Sequence, residues 1–227
     1  MLAITTFPPK AWSLYAGSCV RHMVRCWPGS IRVYFEGSAP PAIDECDRVE
    51  LRPLDMPERD DFLRREIPQR SGFLWDAKRF CHKVFAQLDA AKDKQPFWWI
   101  DADVVVFDEV PESLVQQEAM VTFLGRDTYT ETGLVGFNAA HPEFSDFESK
   151  YLAMYSQGRL LELPCWTDCH AFDAAREGRG LNLTPLGKGF DNVIEQSEFG
   201  RYMAHFKGPL KRELYRMGGA DAFSANL

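Results

Sequence analysis

The chain has 227 residues, of which 45% are hydrophobic and 26% are charged, and its formal net charge is -7. This mixture excludes a fibre and a wholly disordered chain. The acidic balance also disfavours a protein that binds nucleic acid mainly through phosphate attraction, because such proteins carry a basic surface. A local basic groove is still compatible with it, since Lys and Arg are concentrated in residues 201–216.

A chain of this length is expected to form one domain, covering residues 1–227. Its six cysteines show neither CxxC nor zinc-ribbon spacing, so we expect free thiols and a cytoplasmic location. The opening MLAITTFPPK lacks the basic segment and the long apolar core of a signal peptide. No apolar run approaches the roughly 20 residues that a membrane span requires. We therefore expect a soluble protein without a membrane anchor.

The N-terminal part of the chain predicts a strand–helix–strand unit. Buried strands are expected at 2–7 and 31–36, and apolar residues at spacings of three and four predict a helix over 10–27 between them. Such a unit normally forms a right-handed crossover between parallel strands. The segment 38–71 is rich in proline and charge and predicts a long loop.

The remaining pattern predicts alternating helices and strands. In chain order they are a helix at 72–91, a strand at 97–107, strands at 119–124 and 133–139, helices at 142–157 and 167–177, and short strands at 181–186 and 201–206. This order indicates an α/β fold with an open, mixed and mostly parallel central sheet. Such sheets bind ligands outside the carboxyl ends of their strands.

Two acids, Asp101 and Asp103, interrupt the aromatic and β-branched run FWWIDADVVVF at 97–107. Carboxylates are rarely buried unless they are paired. Two residues apart in an extended chain, both side chains point to the same side and repel each other unless a cation lies between them. A divalent ion such as Mn²⁺ or Mg²⁺ removes that repulsion. The alternative is an ordinary acidic turn, but the position at a strand's carboxyl end favours a metal site.

The segment WWIDADVVVFDEVP resembles the DxD segment of GT-A glycosyltransferases, in particular the retaining transferases of the glycogenin and lipopolysaccharide-galactosyltransferase type. A second segment, HFKGPLK at 205–211, is similar to the His-x-x-Gly-x-x-Lys motif that ends the family's catalytic domain. Arg212 and Glu213 replace the Pro-Trp that usually follows the lysine. The resemblance implies a single Rossmann-like GT-A domain that transfers a hexose from a nucleotide-sugar, UDP-linked above all, to a hydroxyl acceptor.

The resemblance also implies a metal site and its surroundings. Asp101, Asp103 and His205 are expected to bind the Mn²⁺ or Mg²⁺ ion, and Ala102 is expected beside the donor. A neutral imidazole suits such an ion as a ligand. For His205 the alternative is a histidine that is merely hydrogen-bonded at a strand end.

Three residues of the second motif are expected at the diphosphate of the donor. Gly208 lets the backbone approach the pyrophosphate, and Lys207 and Lys211 offer positive charge to its oxygens. Negative charge grows on the diphosphate as it leaves, so a metal and a lysine stabilise the transition state there. The family implies retention at the anomeric carbon, a reaction in which the leaving phosphate can take the acceptor's proton.

Positions at the ends of the first two strands match those that hold the base and ribose in GT-A proteins. They are Thr5, Thr6 and Phe7 after the first strand and Glu36 after the second. Glu36 could accept a hydrogen bond from the base or the ribose. A plain strand-end residue is an equally good interpretation of each.

Two helices contribute further candidates. The family often directs a basic residue toward the donor sugar and phosphate from the helix before the acid pair, where Lys78 and Arg79 lie; a solvated helical face explains them nearly as well. Asp168 opens a later helix, where the family has an acidic segment beside the donor sugar. It could stabilise positive charge at the anomeric carbon, or be an ordinary helix-start residue together with Thr167.

Two other functions compete with glycosyl transfer. A metal-dependent nucleotidyltransferase or phosphohydrolase would also use strand-end acids, but TTFPPK after the first strand is no Gly-rich phosphate loop. A non-catalytic binding module is disfavoured because the acids, His205 and Lys211 are all retained.

The acceptor and the oligomeric state are left open by the sequence. The opening TTFPPKAWSLYAGSCVRHMVRCWPGSIRVYFEG is similar to short GT-A proteins of phages and metaviromes, some of which modify hydroxymethylated pyrimidines in DNA. Hydroxymethylated DNA is therefore the specific candidate, with a cell-surface glycan or a small molecule as alternatives. Phosphate contacts would come from Arg64, Arg65, Arg70, Arg212 and Arg216.

Overall fold

A computed structural model describes residues 1–40, 47–184, 187–189, 191–208 and 210–216, without the side chains at 212, 214 and 215. The strands within these residues are β1 (Leu2–Phe7), β2 (Ile31–Phe35), β3 (Val49–Pro53), β4 (Pro96–Ile100), β5 (Val104–Val106), β6 (Val121–Leu124), β7 (Glu131–Asn138), β8 (Leu181–Asn182) and β9 (Met203–His205). The α-helices are α1 (Gly17–Cys26), α2 (Pro57–Arg64), α3 (Ala77–Ala91), α4 (Phe144–Ser156), α5 (Asp168–Arg176), α6 (Val193–Gln196) and α7 (Leu210–Arg216).

Seven strands form the central sheet in the order β3-β2-β1-β4-β7-β6-β8. The first four strands of this order are parallel to one another. β7 is antiparallel to both β4 and β6, and β8 is parallel to β6. The predicted α/β fold with a mixed, mostly parallel sheet is therefore confirmed.

The alternation of side chains along β4 divides the core into two layers. Phe97 and Trp99 face α3, α4 and α5, whereas Trp98 and Ile100 face α1 and β5. All four side chains are at most 1% exposed. Burial on both faces is what the continuous apolar run at 97–100 predicts for a central strand of such a sheet.

Several segments differ from the sequence-based expectations. The run 97–107 is two strands rather than one, because the backbone turns at the acid pair and β5 leaves to pair with β9 in a separate two-stranded sheet. The segment 38–71 contains β3 and α2 in addition to its loops. The helix over 10–27 begins with a π-helical turn at Trp12–Ala16 before α1.

Element ends also moved at the short strands near the C terminus. β8 covers two residues of the predicted 181–186, of which 185 and 186 lie outside the described residues, and β9 is shorter than the predicted 201–206. Pairing, which the sequence pattern does not reveal, sets these limits: β8 has two partners on β6, and β9 has three on β5.

The described cysteines agree with the expectation of free thiols. Cys19, Cys26, Cys81, Cys165 and Cys169 are free thiols, and Cys46 lies outside the described residues. Among the helices that the structure describes, none is long and apolar enough to cross a membrane. The cytoplasmic location stays a prediction.

Candidate metal and donor site

The acid pair lies in a tight turn at the carboxyl end of β4. The amide of Val104 donates to the carbonyl of Asp101 at 2.9 Å, which closes the turn. The expectation of an extended backbone here was wrong, yet both acid side chains do approach one group, the imidazole of His205. Ala102, between the acids, is 6% exposed. The turn thus places two carboxylates at the sheet edge where ligands of α/β folds bind.

Strand pairing delivers His205 to the acid pair from the far end of the chain. β5 and β9 pair so that Val104 is opposite His205. The backbone of His205 is held on both sides, since its amide donates to Glu195 Oε1 at 2.7 Å and its carbonyl accepts from Asn192 at 3.1 Å. The imidazole is 4% exposed. The pairing of the short β5 with β9 therefore places His205 beside the two acids.

The geometry of Asp101, Asp103 and His205 fits a divalent ion. Nε2 of His205 lies 3.3 Å from Asp103 Oδ1 and 3.8 Å from Asp101 Oδ2. One ligand atom from each of the three side chains lies within 4.8 Å of the others. Ligands about 2.1 Å from an octahedral ion would be about 3 Å apart as neighbours and about 4 Å apart across it. The predicted cluster is therefore assembled, and its two carboxylates and one imidazole could hold a divalent metal ion.

The other oxygen of each acid is held by a neighbouring donor. Asp101 Oδ1 accepts from Trp99 Nε1 at 2.6 Å and from Lys83 Nζ at 2.9 Å. Asp103 Oδ2 is 2.7 Å from Lys211 Nζ. Each carboxylate is thus oriented through one oxygen and presents the second one toward His205. Such outer contacts hold ligands in the orientation that a metal requires.

His205 and Lys211 keep the buried Asp103 carboxylate charged. Burial raises the pKa of Asp103, but His205 and Lys211 lower it more, so that its pKa lies well below the ordinary value. Burial lowers the pKa of Lys211, but Asp103 raises it by more, so the pKa lies above its ordinary value. Asp103 is therefore ionised at neutral pH.

Lys83 of α3 is the basic residue that reaches the site from the preceding helix. Its Nζ lies 2.9 Å from Asp101 and 2.8 Å from Asp168, and it donates to the carbonyl of Thr132 at 2.5 Å. Burial lowers the pKa of Lys83, but the two acids raise it above its ordinary value. Sequence reasoning missed this residue.

The two basic residues proposed from the sequence lie elsewhere on the same helix. Lys78 donates to the carbonyl of Leu63 at 2.6 Å, and the Arg79 guanidinium lies 5.7 Å from the centre of the Phe73 ring. Lys78 therefore contacts α2, and Arg79 contacts the short helical turn that precedes α3. Their proposed role at the donor stays a prediction, whereas Lys83 contacts the acid pair directly.

Asp168 is buried at the start of α5, with an exposed fraction of 4%. Its Oδ2 accepts from Thr132 at 2.6 Å and pairs with Lys83 at 2.8 Å. Burial raises its pKa, but Lys83 and Thr132 lower it, and the net pKa is below the ordinary value. The helix-start role belongs to Thr167, whose hydroxyl accepts from the amide of His170. Asp168 and Asp101 are thus two carboxylates joined by one lysine.

The C-terminal motif continues past His205 along the same side of the cluster. Lys207 lies 3.3 Å from Glu131 and donates to the carbonyl of Asp191 at 2.9 Å. Burial and the nearby Arg126 lower the pKa of Lys207 to about 8. Gly208 has φ +58°, a left-handed conformation that glycine adopts at little cost, and a Cβ there would contact nothing within 4 Å.

Two of the four residues predicted for the base and ribose line a cavity at the ends of β1 and β2. The cavity has a volume of about 150 Å³ and is lined by Phe7, Pro9, Trp12, Phe35, Glu36, Ser38, Ala39 and Pro40. The rings of Phe7 and Trp12 stack with centroids 5.6 Å apart. The Thr6 hydroxyl lies 3.0 Å from the carbonyl of Tyr34 and 3.4 Å from Glu36 Oε1, and it can donate its one proton to either acceptor. Thr5 is fully buried inside the sheet. Phe7 and Glu36 therefore line the cavity, whereas Thr5 and Thr6 do not.

Comparison with known proteins gives a clear answer for the fold alone. No protein-family model matches the sequence, and no curated protein matches it significantly. Solved structures do match: an active-site mutant of LgtC superimposes with a TM-score of 0.58 and 11% identity, covering 92% of this chain and 88% of that one.

Two further structures give the same result. The galactosyltransferase LgtC in complex with donor and acceptor sugar analogues has a TM-score of 0.51 and 14% identity, over 92% of this chain and 88% of that one. A glycosyltransferase involved in the glycosylation of the major capsid of PBCV-1 has a TM-score of 0.51 and 12% identity, over 100% and 98% of the two chains. In fold, the chain is a GT-A-like protein that resembles LgtC and other glycosyltransferases.

Proposed function

We propose that this chain, with residues 1–227 as its catalytic domain, is a metal-dependent glycosyltransferase that moves a hexose from a nucleotide-sugar to a hydroxyl acceptor. The observation that carries the proposal is the convergence of Asp101, Asp103 and His205 on one point at the carboxyl end of β4. This cluster lies in a fold shared with glycosyltransferases, one of which was solved with donor and acceptor sugar analogues. The proposed ion is Mn²⁺ or Mg²⁺, and the proposed donor is UDP-linked.

The residues around the cluster suit a diphosphate leaving group. The ion would stabilise the negative charge that grows on the diphosphate. Lys211 lies beside the acid pair and is 34% exposed, so its ammonium can turn toward phosphate oxygens. Lys207 and the open backbone at Gly208 would line the other side of the diphosphate. These groups are placed before the reaction starts, which is the condition for effective electrostatic stabilisation.

The cavity at β1 and β2 is the proposed base site. Phe7 and Trp12 offer apolar ring surface for a base, and Glu36 offers an acceptor for a base or ribose donor. Burial raises the pKa of Glu36, and the hydrogen bond from Thr6 opposes this. A uracil N–H is a suitable donor to this carboxylate, but the other bases also carry N–H donors, so the proposal of UDP rests on the family resemblance.

Retention at the anomeric carbon is the proposed stereochemical outcome. Asp168 is tied to Lys83 and Thr132, so it is held as a fixed negative charge rather than a mobile base. Such a charge stabilises the positive charge that develops at the anomeric carbon. The acceptor proton then passes to the leaving phosphate, in the manner that the retaining families imply.

A donor panel tests the function directly. The full-length protein with Mn²⁺ or Mg²⁺ should release a nucleoside diphosphate from one nucleotide-sugar, and more slowly or not at all from nucleoside triphosphates. Calorimetry identifies the donor, and NMR of the glycosidic proton reports retention. Cleavage of triphosphates in preference to every sugar nucleotide would replace the proposal with a nucleotidyltransferase or phosphohydrolase.

The specific acceptor we propose is hydroxymethylated pyrimidine in DNA. Of the arginines proposed for phosphate contact, Arg64 is 71% exposed, Arg65 donates to the carbonyl of Tyr155, and Arg70 lies over the Trp166 ring. Arg216 is exposed on α7, and the side chain of Arg212 lies outside the described residues.

Salt dependence separates DNA from other acceptors. Hexosyl transfer to duplex containing hydroxymethylcytosine should fall steeply as salt rises from 50 to 200 mM, by about tenfold or more, because bound phosphates release condensed counterions on neutralisation. Donor hydrolysis without acceptor is the internal control for salt effects on the enzyme. Transfer that ignores salt, or that occurs only on free sugars, protein or glycan, would exclude DNA and leave the glycosyltransferase proposal in place.

A further inference from the structure

Glu131, the first residue of β7, is a buried carboxylate at the back of the metal cluster. It is 5% exposed, and its two oxygens have different partners. Oε1 accepts from the amide of Gly133 at 2.8 Å and lies 3.6 Å from Nδ1 of His205. Oε2 pairs with Arg126 and lies 3.3 Å from Lys207 Nζ. One carboxylate therefore contacts two members of the C-terminal motif from a strand that is distant in sequence.

The imidazole of His205 is confined by the same strand. A Cβ at Gly133 would lie 2.5 Å from Cε1 of His205 and 2.9 Å from Glu131 Oε1, closer than real contacts allow. The ring therefore packs against the bare backbone of Gly133, and only glycine leaves room for it. This close packing fixes which of its edges faces the acids and which faces Glu131.

The two nitrogens of His205 then have separate tasks. Nε2 faces Asp101 and Asp103, so it must be unprotonated to bind an ion. In a neutral imidazole the proton must then be on Nδ1, which is buried and makes no hydrogen bond among the described residues. Glu131 Oε1 is the acceptor that faces it. An ion at Nε2 would strengthen this contact, because ligation makes the opposite N–H a better donor.

We propose that Glu131 is a positioning residue that sets the tautomer of His205 and fixes Lys207 beside it. The inference rests on the proposed metal site, and it adds a residue to which the sequence motifs gave no role. Arg126 balances the buried charge of Glu131 and so keeps Oε1 free for Gly133 and His205. Carboxylates that hold a metal-binding histidine in this way typically increase metal affinity by about 10–100-fold.

Glu131→Gln is the test variant because its amide cannot satisfy both sides. An amide oxygen placed toward Arg126 and Lys207 puts the NH₂ group against the Gly133 amide and His205 Nδ1. That arrangement favours the tautomer with the proton on Nε2, which cannot bind an ion. The dissociation constant for Mn²⁺, measured from the free-ion EPR signal without any sugar donor, should rise by about tenfold or more.

Two companions make the result interpretable. Glu131→Asp keeps the charge next to Arg126 but draws the oxygens back by one methylene, so the fold is retained and Mn²⁺ affinity should still fall. Asp89→Asn is the matched control, since Asp89 is a carboxylate 15% exposed that pairs with Arg52 at 3.2 Å away from the cluster. Its Mn²⁺ affinity should equal that of the unmodified protein. Near-UV circular dichroism verifies the fold of each variant.

The tautomer itself is the second readout. In the unmodified protein with Mg²⁺, the side-chain ¹⁵N spectrum of His205, assigned by comparison with His205→Asn, should show a protonated Nδ1 and an unprotonated Nε2. Glu131→Gln should shift it toward the other tautomer. Unchanged Mn²⁺ affinity and an unchanged ¹⁵N spectrum in folded Glu131 variants would overturn the inference. An unmodified protein that fails to bind Mn²⁺ would instead overturn the proposed metal site.

Discussion

Asp103→Asn should lower kcat/KM for sugar transfer by about 10³-fold or more, because it removes a charged ligand of the proposed ion and several kcal/mol of electrostatic stabilisation with it. The amide keeps the size of the side chain, and its partner Lys211 is 34% exposed, so no charge is left fully buried. The protein should therefore stay folded. The measurement is steady-state transfer with a saturating donor, together with the Mn²⁺ dissociation constant from EPR, which should rise in parallel.

The same experiment includes metal removal and a control. EDTA should abolish turnover of the unmodified protein, and excess Mn²⁺ or Mg²⁺ should restore it. Asp89→Asn, at a carboxylate paired with Arg52 on the far part of α3, should retain full activity. Full activity in EDTA, or an Asp103→Asn variant as active as the control, would exclude the proposed role of the metal.

Much of this site could be predicted from the sequence because its key residues break strong patterns. Asp101 and Asp103 stand out in an otherwise apolar strand, where uncompensated charge is costly. The spacing from His205 to Lys211 is a local motif, so it too is visible without a structure. The structure brings Asp101, Asp103 and His205 together, and the open α/β sheet follows from the order of strands and helices.

The parts that sequence reasoning missed depend on tertiary contacts. Lys83 lies one helical turn after Phe80 on α3, and a lysine on that apolar face was an available signal. Lys78 and Arg79 lie in the first turn of the same helix. Since a helix turns about 100° per residue, these side chains point in other directions, and of the three basic residues only Lys83 contacts Asp101. Glu131 gives no local signal of its contact with the C-terminal motif, since Lys207 is 76 residues away.

The separate pairing of β5 was missed for a related reason. FWWI and VVVF have the same β-branched and aromatic character, and nothing in that character separates one strand from two. The structure separates them because β4 pairs with β1 and β7, whereas β5 pairs with β9. Because β5 pairs with β9, both acids lie close to His205. The pairing that the sequence did not reveal is therefore the one that assembles the site.

Lys211→Ala should lower kcat by about 10²–10³-fold, the usual effect of removing one preorganised electrostatic contact to a developing charge. Its effect on the metal should have the opposite sign to that of Asp103→Asn. Lys211 Nζ lies 2.7 Å from Asp103 Oδ2, so its positive charge repels an ion while its contact orients the carboxylate. We expect the loss of repulsion to outweigh the loss of orientation, so Mn²⁺ should bind the variant as tightly as before or more tightly. Lys92→Ala is the matched control, since Lys92 pairs with Asp89 at 3.0 Å on the surface and its loss should leave kcat unchanged.

The pair of measurements, kcat for transfer and the Mn²⁺ dissociation constant, separates the role of Lys211 at the leaving group from support of the metal site. A kcat equal to that of the control would remove Lys211 from the reaction, and a weakened Mn²⁺ affinity would make it a structural support of Asp103 instead.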